Sequence, residues 1–276
     1  MTVDVVAADC TRRPGGGAFY SALQAARLGL RTLILTQGFA PEIEALLEPY
    51  RGELELHIIP APATTTLQTS GSGAARIQRV LAWAGPIVET VAVDTQILHF
   101  APVAREIPAA WRGRADFVGL TPQGLTRAWD EGGKTGGEIV MAPLPTDRSS
   151  LDRLLPPGLC AVVLSEHERA ACAPLLAAAA ARGAVLAITA GESATSIHLP
   201  DGGVTQVQAP AVAHARDDLG AGDVFAAAFF IFLHEGHSPE RAAGYANAAA
   251  AIRVEGTGAD AIGDRRAIEA RVAGER

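Results

Sequence analysis

Hydrophobic and polar positions change period several times along the chain. Residues 3–8 are nearly continuously apolar and rich in β-branched side chains, the pattern of a strand buried on both faces of a parallel sheet. Gly15-Gly16-Gly17 then opens a helix predicted over 18–28 and closed by Gly29, and residues 31–36 (RTLILT) read as the next strand. Pro41 starts a further helix to residue 47. From 53 to 83 the texture differs. Leu54, Leu56 and Ile58 alternate with Glu55 and His57, and the polar stretch 64–69 leads into a Gly/Ser turn at 70–73. Alternation on both sides of such a turn predicts antiparallel hairpins with one wet face. Beyond residue 90 strand–helix alternation resumes. Strands are expected at 97–100, 117–120, 161–164 and 184–188, with two shorter ones at 196–199 and 204–207 across the Asp201-Gly202-Gly203 turn. Residues 130–134 read as a polar loop. Residues 168–182 form an Ala-rich helix interrupted early by Pro174, and 224–233 a wholly apolar, buried helix. Ser238 and Pro239 cap a last long helix to about residue 254. The pattern predicts one α/β domain over residues 1–276, a doubly wound, mainly parallel sheet, with a small β excursion over 53–83.

Composition narrows the class without naming the chemistry. The 276 residues are 49% hydrophobic, enough for a substantial core. No run approaches the ~20 apolar residues of a membrane span. No charged leader followed by an apolar stretch opens the sequence, and the odd set Cys10, Cys160 and Cys172 lacks metal-ligand spacing, so reduced thiols in a cytoplasmic protein are expected. A net charge of −7 disfavours nucleic acid and anionic membrane as partners. It does not disfavour a nucleotide, which local amides and a metal can hold.

The most informative stretch is Asp217-Asp218-Leu219-Gly220-Ala221-Gly222-Asp223-Val224-Phe225. Three small residues at the start of a buried helix leave free N–H groups and the positive end of the helix dipole open to an anion such as phosphate. Asp223 is out of place in such a cradle unless it serves a proton acceptor's role, as a base for the hydroxyl that receives a phosphoryl group. The same residues also read as an ordinary Gly-rich loop with an acidic helix start. Gly71-Ser72-Gly73-Ala74-Ala75 has the look of a dinucleotide loop but sits on a hairpin, not between strand and helix.

The Gly-Ala-Gly-Asp segment resembles the second signature of the ribokinase-like (PfkB) family of carbohydrate and nucleoside kinases, Asp-Thr-x-Gly-Ala-Gly-Asp. Pro14-Gly15-Gly16-Gly17-Ala18-Phe19-Tyr20-Ser21-Ala22, running on to Ala26-Arg27-Leu28-Gly29, resembles the first, and both fall in the family's order. The match is good over 14–36 and 160–257. The resemblance implies a three-layer fold with a β lid over the substrate, corresponding to 53–83, and ATP-dependent phosphorylation of a hydroxyl on a small polyhydroxy molecule. In that role Asp223 is the general base, a contribution of ~10²–10⁴-fold, and Gly220, Ala221 and Gly222 stabilise phosphate charge. Ser165-Glu166-His167-Glu168 stands for the family's Asn-x-x-Glu, making Glu168 the residue that supports Mg²⁺. The same residues read as a helix capping box. Thr189 and Gly191, in a partial Thr-x-Gly-x-x-Gly whose last Gly is Ala194, with Asn247, Gly256 and Gly258, are implied on the nucleotide side. Asp217 falls where some relatives hold a monovalent cation, although Asp218 replaces the usual Thr. Where chains associate, the expected assembly is a homodimer through the lid.

At the substrate end the resemblance is weakest. The family carries an Asp shortly after its first strand to bind sugar hydroxyls. With residues 5–8 as that strand, Arg13 occupies the Asp position and Asp9 is the candidate substitute, alongside Gly15, Gly16 and Tyr20. A second register puts Asp4 there but removes the first central strand, so the first is preferred. Arg13 then implies an acceptor bearing a carboxylate or phosphate, or pairing of Arg13 with Asp9. Sugar, cyclitol and nucleoside acceptors all fit. The alternative function is a catalytically degenerate ligand-binding relative, with Arg13, Ser165, Ala194 and Asp218 as drift. A nicotinamide-dependent oxidoreductase is disfavoured because no Gly-x-Gly-x-x-Gly follows the first strand.

Overall fold

The structure, a computed structural model, describes residues 1–7, 10–71, 76–107, 110–130 and 137–274. In chain order it runs β1 (Thr2–Val6), β2 (Arg12–Gly15), α1 (Gly16–Arg27), β3 (Thr32–Gly38), α2 (Ala40–Leu47), β4 (Leu54–Pro60), β5 (Thr66–Ser70), β6 (Ile77–Ala82), β7 (Thr90–Phe100) and β8 (Ala110–Leu120). Then come β9 (Arg127–Ala128), β10 (Gly137–Glu138), β11 (Val140–Met141), α3 (Arg148–Leu154), β12 (Leu159–Ser165), α4 (Arg169–Ala180) and β13 (Val185–Thr189). β14 (Thr195–His198), β15 (Val204–Val207), α5 (Ala221–His234), α6 (Pro239–Glu255) and α7 (Arg265–Val272) complete it. Residues 131–134 of the expected polar loop, 72–73 of the Gly/Ser turn and 72–75 of the segment that has the look of a dinucleotide loop lie outside the described residues.

The main sheet has six strands in the order β15-β14-β13-β12-β8-β7. β7, β8, β12 and β13 are parallel, and β14 and β15 add an antiparallel edge. Its central strands β12 and β13 read as continuous apolar runs because both faces are covered. Ala161 and Val163 of β12 pack into a core with Phe19 and Leu23 of α1, Phe225 and Phe229 of α5 and the alanines of α6. Val162 and Leu164, one residue out of phase, pack with Leu151 of α3 and Leu175 and Leu176 of α4 on the other side. The result is three layers. The apolar helix expected at 224–233 is α5, buried at every position from Val224 to Phe232. Helix α4 runs on through Pro174, so the expected interruption does not occur.

Two strands lie in a different place from the sequence reading. Residues 3–8 do not supply a central strand. β1 instead runs parallel to β5 and antiparallel to β2 within a five-stranded sheet, β10-β6-β5-β1-β2, that forms the lid. An apolar run specifies burial, not which sheet it joins, and Thr2 and Asp4 alternate with Val3 and Val5 as in a strand with one polar face. The antiparallel hairpin expected around the Gly/Ser turn is present as β5 and β6. Leu54–Pro60, however, pairs in parallel with β3, so the excursion begins after Pro60. Among the described residues β3 and β7 each pair on one side only. Between them lies a cavity of about 110 Å³ lined mainly by apolar side chains, including Leu35, Leu98 and Phe100.

Candidate functional site

Gly220 sets the geometry of the site. It caps α5 in the left-handed region at φ 81°, and a Cβ there would lie 2.4 Å from the Tyr20 ring, so only glycine fits. Tyr20 is itself buried at 2% exposure. The turn delivers Ala221, Gly222 and Asp223 at the first turn of the helix, where N–H groups lack intrahelical partners. The Ala221 amide bonds the Asp218 carbonyl at 3.2 Å, while a Cβ on Gly222 would meet nothing within 4 Å. The cradle is therefore open at Gly222.

The glycine triplet at the start of α1 packs between two carboxylates. A Cβ on Gly17 would lie 3.0 Å from Asp223 Oδ1, and one on Gly15 would lie 2.0 Å from Asp4 Oδ2. Gly16, at φ 78°, passes Thr2, whose hydroxyl donates to Asp4 Oδ1 at 2.9 Å. The three glycines thus let Asp4, reaching down from the lid sheet, and Asp223, at the tip of α5, approach the same short stretch of backbone. Ser21 of α1 fixes the other side of the junction by donating to the Asp223 carbonyl at 3.0 Å.

Electrostatics single out Asp223. Burial pushes its carboxyl up to about 7; the Arg127 guanidinium opposes this, Asp4 and Glu168 add to it, and Arg76 again opposes. Asp4 is also raised, by burial first, against the Thr2 hydrogen bond and Arg13, Arg127 and Arg76. Glu168 is buried, and one of its oxygens accepts from Ser165 N and Ser165 Oγ at 2.8 Å each, the capping box in full. Among the described residues no three His, Cys, Asp or Glu side chains converge as a direct metal-ligand set.

The segment leading into the cradle is held from below. Arg253 of α6, with 0% exposure, donates to Asp217 Oδ2 at 2.9 Å, to the Asp217 carbonyl at 3.1 Å and to the Leu219 carbonyl at 2.7 Å. Burial would raise Asp217, but the Arg253 hydrogen bond and the amides of Leu219 and Gly258 hold it below its ordinary value. From above, Arg76 at the foot of β6 bonds Asp218 Oδ1.

The model of the pfkB family carbohydrate kinases matches residues 134–264. Sequence comparison with curated proteins gives no match. Among solved structures, a pyrophosphate-dependent kinase in the ribokinase family, complexed with a pyrophosphate analog and myo-inositol, superposes with a TM-score of 0.69 at 18% identity over 98% of this chain and 97% of its own. A ribokinase of Arabidopsis thaliana, complexed with ribose and ATP, gives 0.66 at 16% identity over 98% and 96%. A nucleoside kinase of Methanocaldococcus jannaschii gives 0.65 at 17% identity over 96% and 88%. The chain has the ribokinase-like fold. Its second half carries the PfkB sequence match.

Within this ribokinase-like frame the expected residues divide into two groups. Tyr20 packs against Gly220 at the start of α5, the triplet Gly15 to Gly17 lies between Asp4 and Asp223, and the charge of Glu168 acts on Asp223. Asp9 lies outside the described residues. The carboxylate that faces the glycine triplet is Asp4, the position given by the register that the sequence reading set aside. Arg13 does not point to solvent, nor is it free of acids. It stands 3.7 Å from Asp217 Oδ2 and its charge acts on Asp4.

On the nucleotide side, most of the polar groups are used within the protein. Asn247 accepts from Thr195 Oγ1 at 2.9 Å and donates to the carbonyls of Val207 and Gln208 at 3.3 Å each. Thr189 Oγ1 donates to the Leu164 carbonyl at 3.3 Å, and the Gly258 amide donates to Asp217 Oδ2 at 3.2 Å. A Cβ on Gly256 would lie 2.3 Å from Ala261 Cβ, whereas Gly191, at φ 62°, faces open space. The residue that sequence reasoning missed is Arg127. It follows no motif, and only the fold brings β9 beside the lid.

Proposed function

We propose that the protein is a small-molecule kinase that transfers a phosphoryl group from ATP to a hydroxyl of a polyhydroxy compound, a sugar, cyclitol or nucleoside. One observation carries the reading: the carboxyl of the half-buried Asp223 lies one residue beyond an open helix-start cradle and shares the glycine triplet with a second carboxylate, Asp4. Asp4 would accept hydrogen bonds from acceptor hydroxyls, in the role first given to Asp9. Asp223 would take the proton of the attacking hydroxyl, and a carboxyl near 7 matches that work at neutral pH. The amides at Gly220 and Gly222 would face the charge on the phosphates, with the small side chain of Ala221 between them. Tyr20 would form an apolar wall under the cradle.

Mg²⁺ suits this donor set. The ion keeps most of its waters and binds through one or two carboxylates together with substrate phosphates, and one oxygen of Glu168 is held by Ser165 while the carboxylate stays beside Asp223. When bound, it would neutralise donor charge. Two of the four departures that suggested a degenerate protein have structural uses. Ser165 completes the capping box and Asp218 receives Arg76 from the lid. Where two chains associate through the lid, Ile77 and Leu81, exposed at 45% and 40%, would be covered.

The test is ATP consumption measured against a panel of sugars, cyclitols and nucleosides, for the wild type and for Asp223→Asn. At least one acceptor should be turned over by the wild type. The Asn variant should lose turnover by ~10²-fold or more while binding nucleotide as well or slightly better. Near wild-type turnover in Asp223→Asn would remove the base assignment.

A second reading concerns the donor. With Asn247, Thr189 and Gly258 engaged by the protein itself, fewer polar groups remain to grip an adenosine. The pyrophosphate-dependent neighbour named above has the same fold. Inorganic pyrophosphate would still be met by the cradle and the arginines. Assaying one acceptor with ATP and with pyrophosphate separates the two donors directly.

A further inference from the structure

Arg127 occupies a position that neither the signature motifs nor the capping interactions explain. It sits on the two-residue strand β9, and its guanidinium reaches across the cleft to bridge two other elements. Nη1 donates to the Val103 carbonyl at 3.0 Å and Nη2 to Gln78 Oε1, on lid strand β6, at 2.7 Å. Val103 belongs to the segment 101–103 that packs on the glycine triplet: a Cβ on Gly17 would lie 2.9 Å from Ala101 Cβ, and one on Gly16 would lie 3.0 Å from Val103 Cγ2. The guanidinium is thus anchored on the wall facing Asp4 and Asp223. Its charge acts on Glu168, Glu106, Asp223 and Asp4 together, so it lies among the carboxylates of the acceptor side, the base and the metal side.

A brace between lid and wall needs no charge. Glutamine could donate to the same two oxygens, both neutral, without the cost of taking a cation out of water. A guanidinium has five N–H donors in a planar fork, and these two bonds leave others over. Holding a half-buried guanidinium among these acids makes sense if an anion arrives in their midst.

We propose that Arg127 is a catalytic residue that meets the negative charge of the phosphoryl group as it crosses from donor to acceptor. The inference rests on the kinase reading above. In the step, the acceptor hydroxyl gives its proton to Asp223 and its oxygen forms a bond to the γ-phosphorus of ATP. The bond from that phosphorus to the bridging oxygen breaks, and its electron pair leaves with ADP. The non-bridging oxygens carry the charge throughout, and Arg127 donates to them from the side opposite the α5 cradle. Residues of this kind contribute through charge placed before the reaction begins, on the order of 10²–10³-fold per donor in comparable sites.

The experiment compares wild type, Arg127→Lys and Arg127→Gln with ATP and the best acceptor of the panel, recording kcat, both KM values, the pH profile and the melting temperature. Arg127→Gln should lower kcat by ~10²-fold or more with the acceptor KM changed by less than about threefold. It should also move the alkaline rise of kcat/KM to higher pH. The charges facing Asp223 are Arg127, Asp4, Glu168 and Arg76, and the loss of Arg127 leaves two acids against one base. Arg127→Lys keeps the charge and the pH profile but lacks the planar fork, so kcat should stay at least about 30-fold down. If lysine restores kcat, Arg127 only balances the acids and the proposal falls. It falls equally if the Gln variant keeps kcat within threefold, or if the loss appears wholly in the acceptor KM. Should Gln unfold the protein, the Lys variant decides. A wild type inert toward every acceptor overturns the kinase reading itself, an outcome distinct from an active wild type with active Arg127 variants.

Discussion

At the scale of single residues, the site is organised by what the glycines leave out. Gly15 lies against the Asp4 carboxylate so closely that a methyl group would overlap it, with a Cβ 2.0 Å from Oδ2 and 2.2 Å from Cγ. Asp4 is 4% exposed and has little room to retreat. Gly15→Ala should therefore displace Asp4, destabilise the fold by ~1–3 kcal/mol, and raise the acceptor KM at least tenfold while the donor KM holds. The cause can be isolated in a double-mutant cycle, because Asp4→Ala removes the group that the new methyl strikes. In that background Gly15→Ala should cost little in either measurement. Strictly additive effects would mean that the glycine serves the backbone alone. The segments holding the glycines and Asp223 stood out in the sequence because the two together resemble a pair of family signatures; alone, either reads equally as a Gly-rich loop. Asp4 did not stand out, because its assignment depended on which sheet its strand joins. The alternation Thr2-Val3-Asp4-Val5 was the available signal. Arg127 carries no signal of that kind at all.

At the scale of elements, Arg76 ties the hairpin β5–β6 to the loop before α5. Arg76 stands at the foot of β6 and bonds Asp218, two residues before Gly220, while Asp218 stands beside Asp217, which Arg253 holds from the core. The β5–β6 hairpin and the loop before α5 are therefore linked through a surface-accessible pair, with side-chain exposures of 26% and 39%. Such a pair adds little to global stability, but it can set how tightly the lid closes and how well it excludes water. Arg76→Gln should leave the melting temperature within about 2 °C. It should raise the acceptor KM more than the donor KM and increase hydrolysis of the donor in the absence of acceptor. Equal changes in both KM values, with no rise in hydrolysis, would show that the contact is a surface ion pair and nothing more. Most elements were readable beforehand from period and punctuation: α5 from its unbroken apolar run, α6 from Ser238 and Pro239, β12 and β13 from their short apolar blocks. The errors fell where period is silent. Continuous apolar strands do not declare their neighbours, and β4, alternating like an exposed hairpin, is instead the parallel partner of β3.

At the scale of the whole molecule, two enclosed groups titrate against each other. His99 on β7 is a partly exposed residue whose ring is buried, edge-on to Phe230 with centroids 4.9 Å apart and bonded to Thr121 Oγ1 at 3.1 Å. Burial brings it down to about 3 from the ordinary 6.5. Between those values the unfolded chain holds a proton that the folded protein lacks, so this group makes stability rise with pH and level off above 6.5. Asp223 acts in the opposite sense. Its folded value near 7 lies above the ordinary 3.8, so between the two the folded protein holds the extra proton and stability falls as pH rises. Asp4, also raised, adds to that fall. Over pH 4.5–6 the contributions of His99 and Asp223 should therefore oppose each other in the wild type. Each substitution should expose the other's slope. Asp223→Asn should make stability climb more steeply with pH, by up to ~1.4 kcal/mol per pH unit, and His99→Phe should tilt it downward by a similar amount. Denaturant unfolding of the three proteins at four pH values in that window measures the slopes directly. Parallel curves for all three would mean that neither group titrates differently in the folded and unfolded chains, and the enclosure that suits Asp223 to act as a base near neutral pH would lose its thermodynamic support.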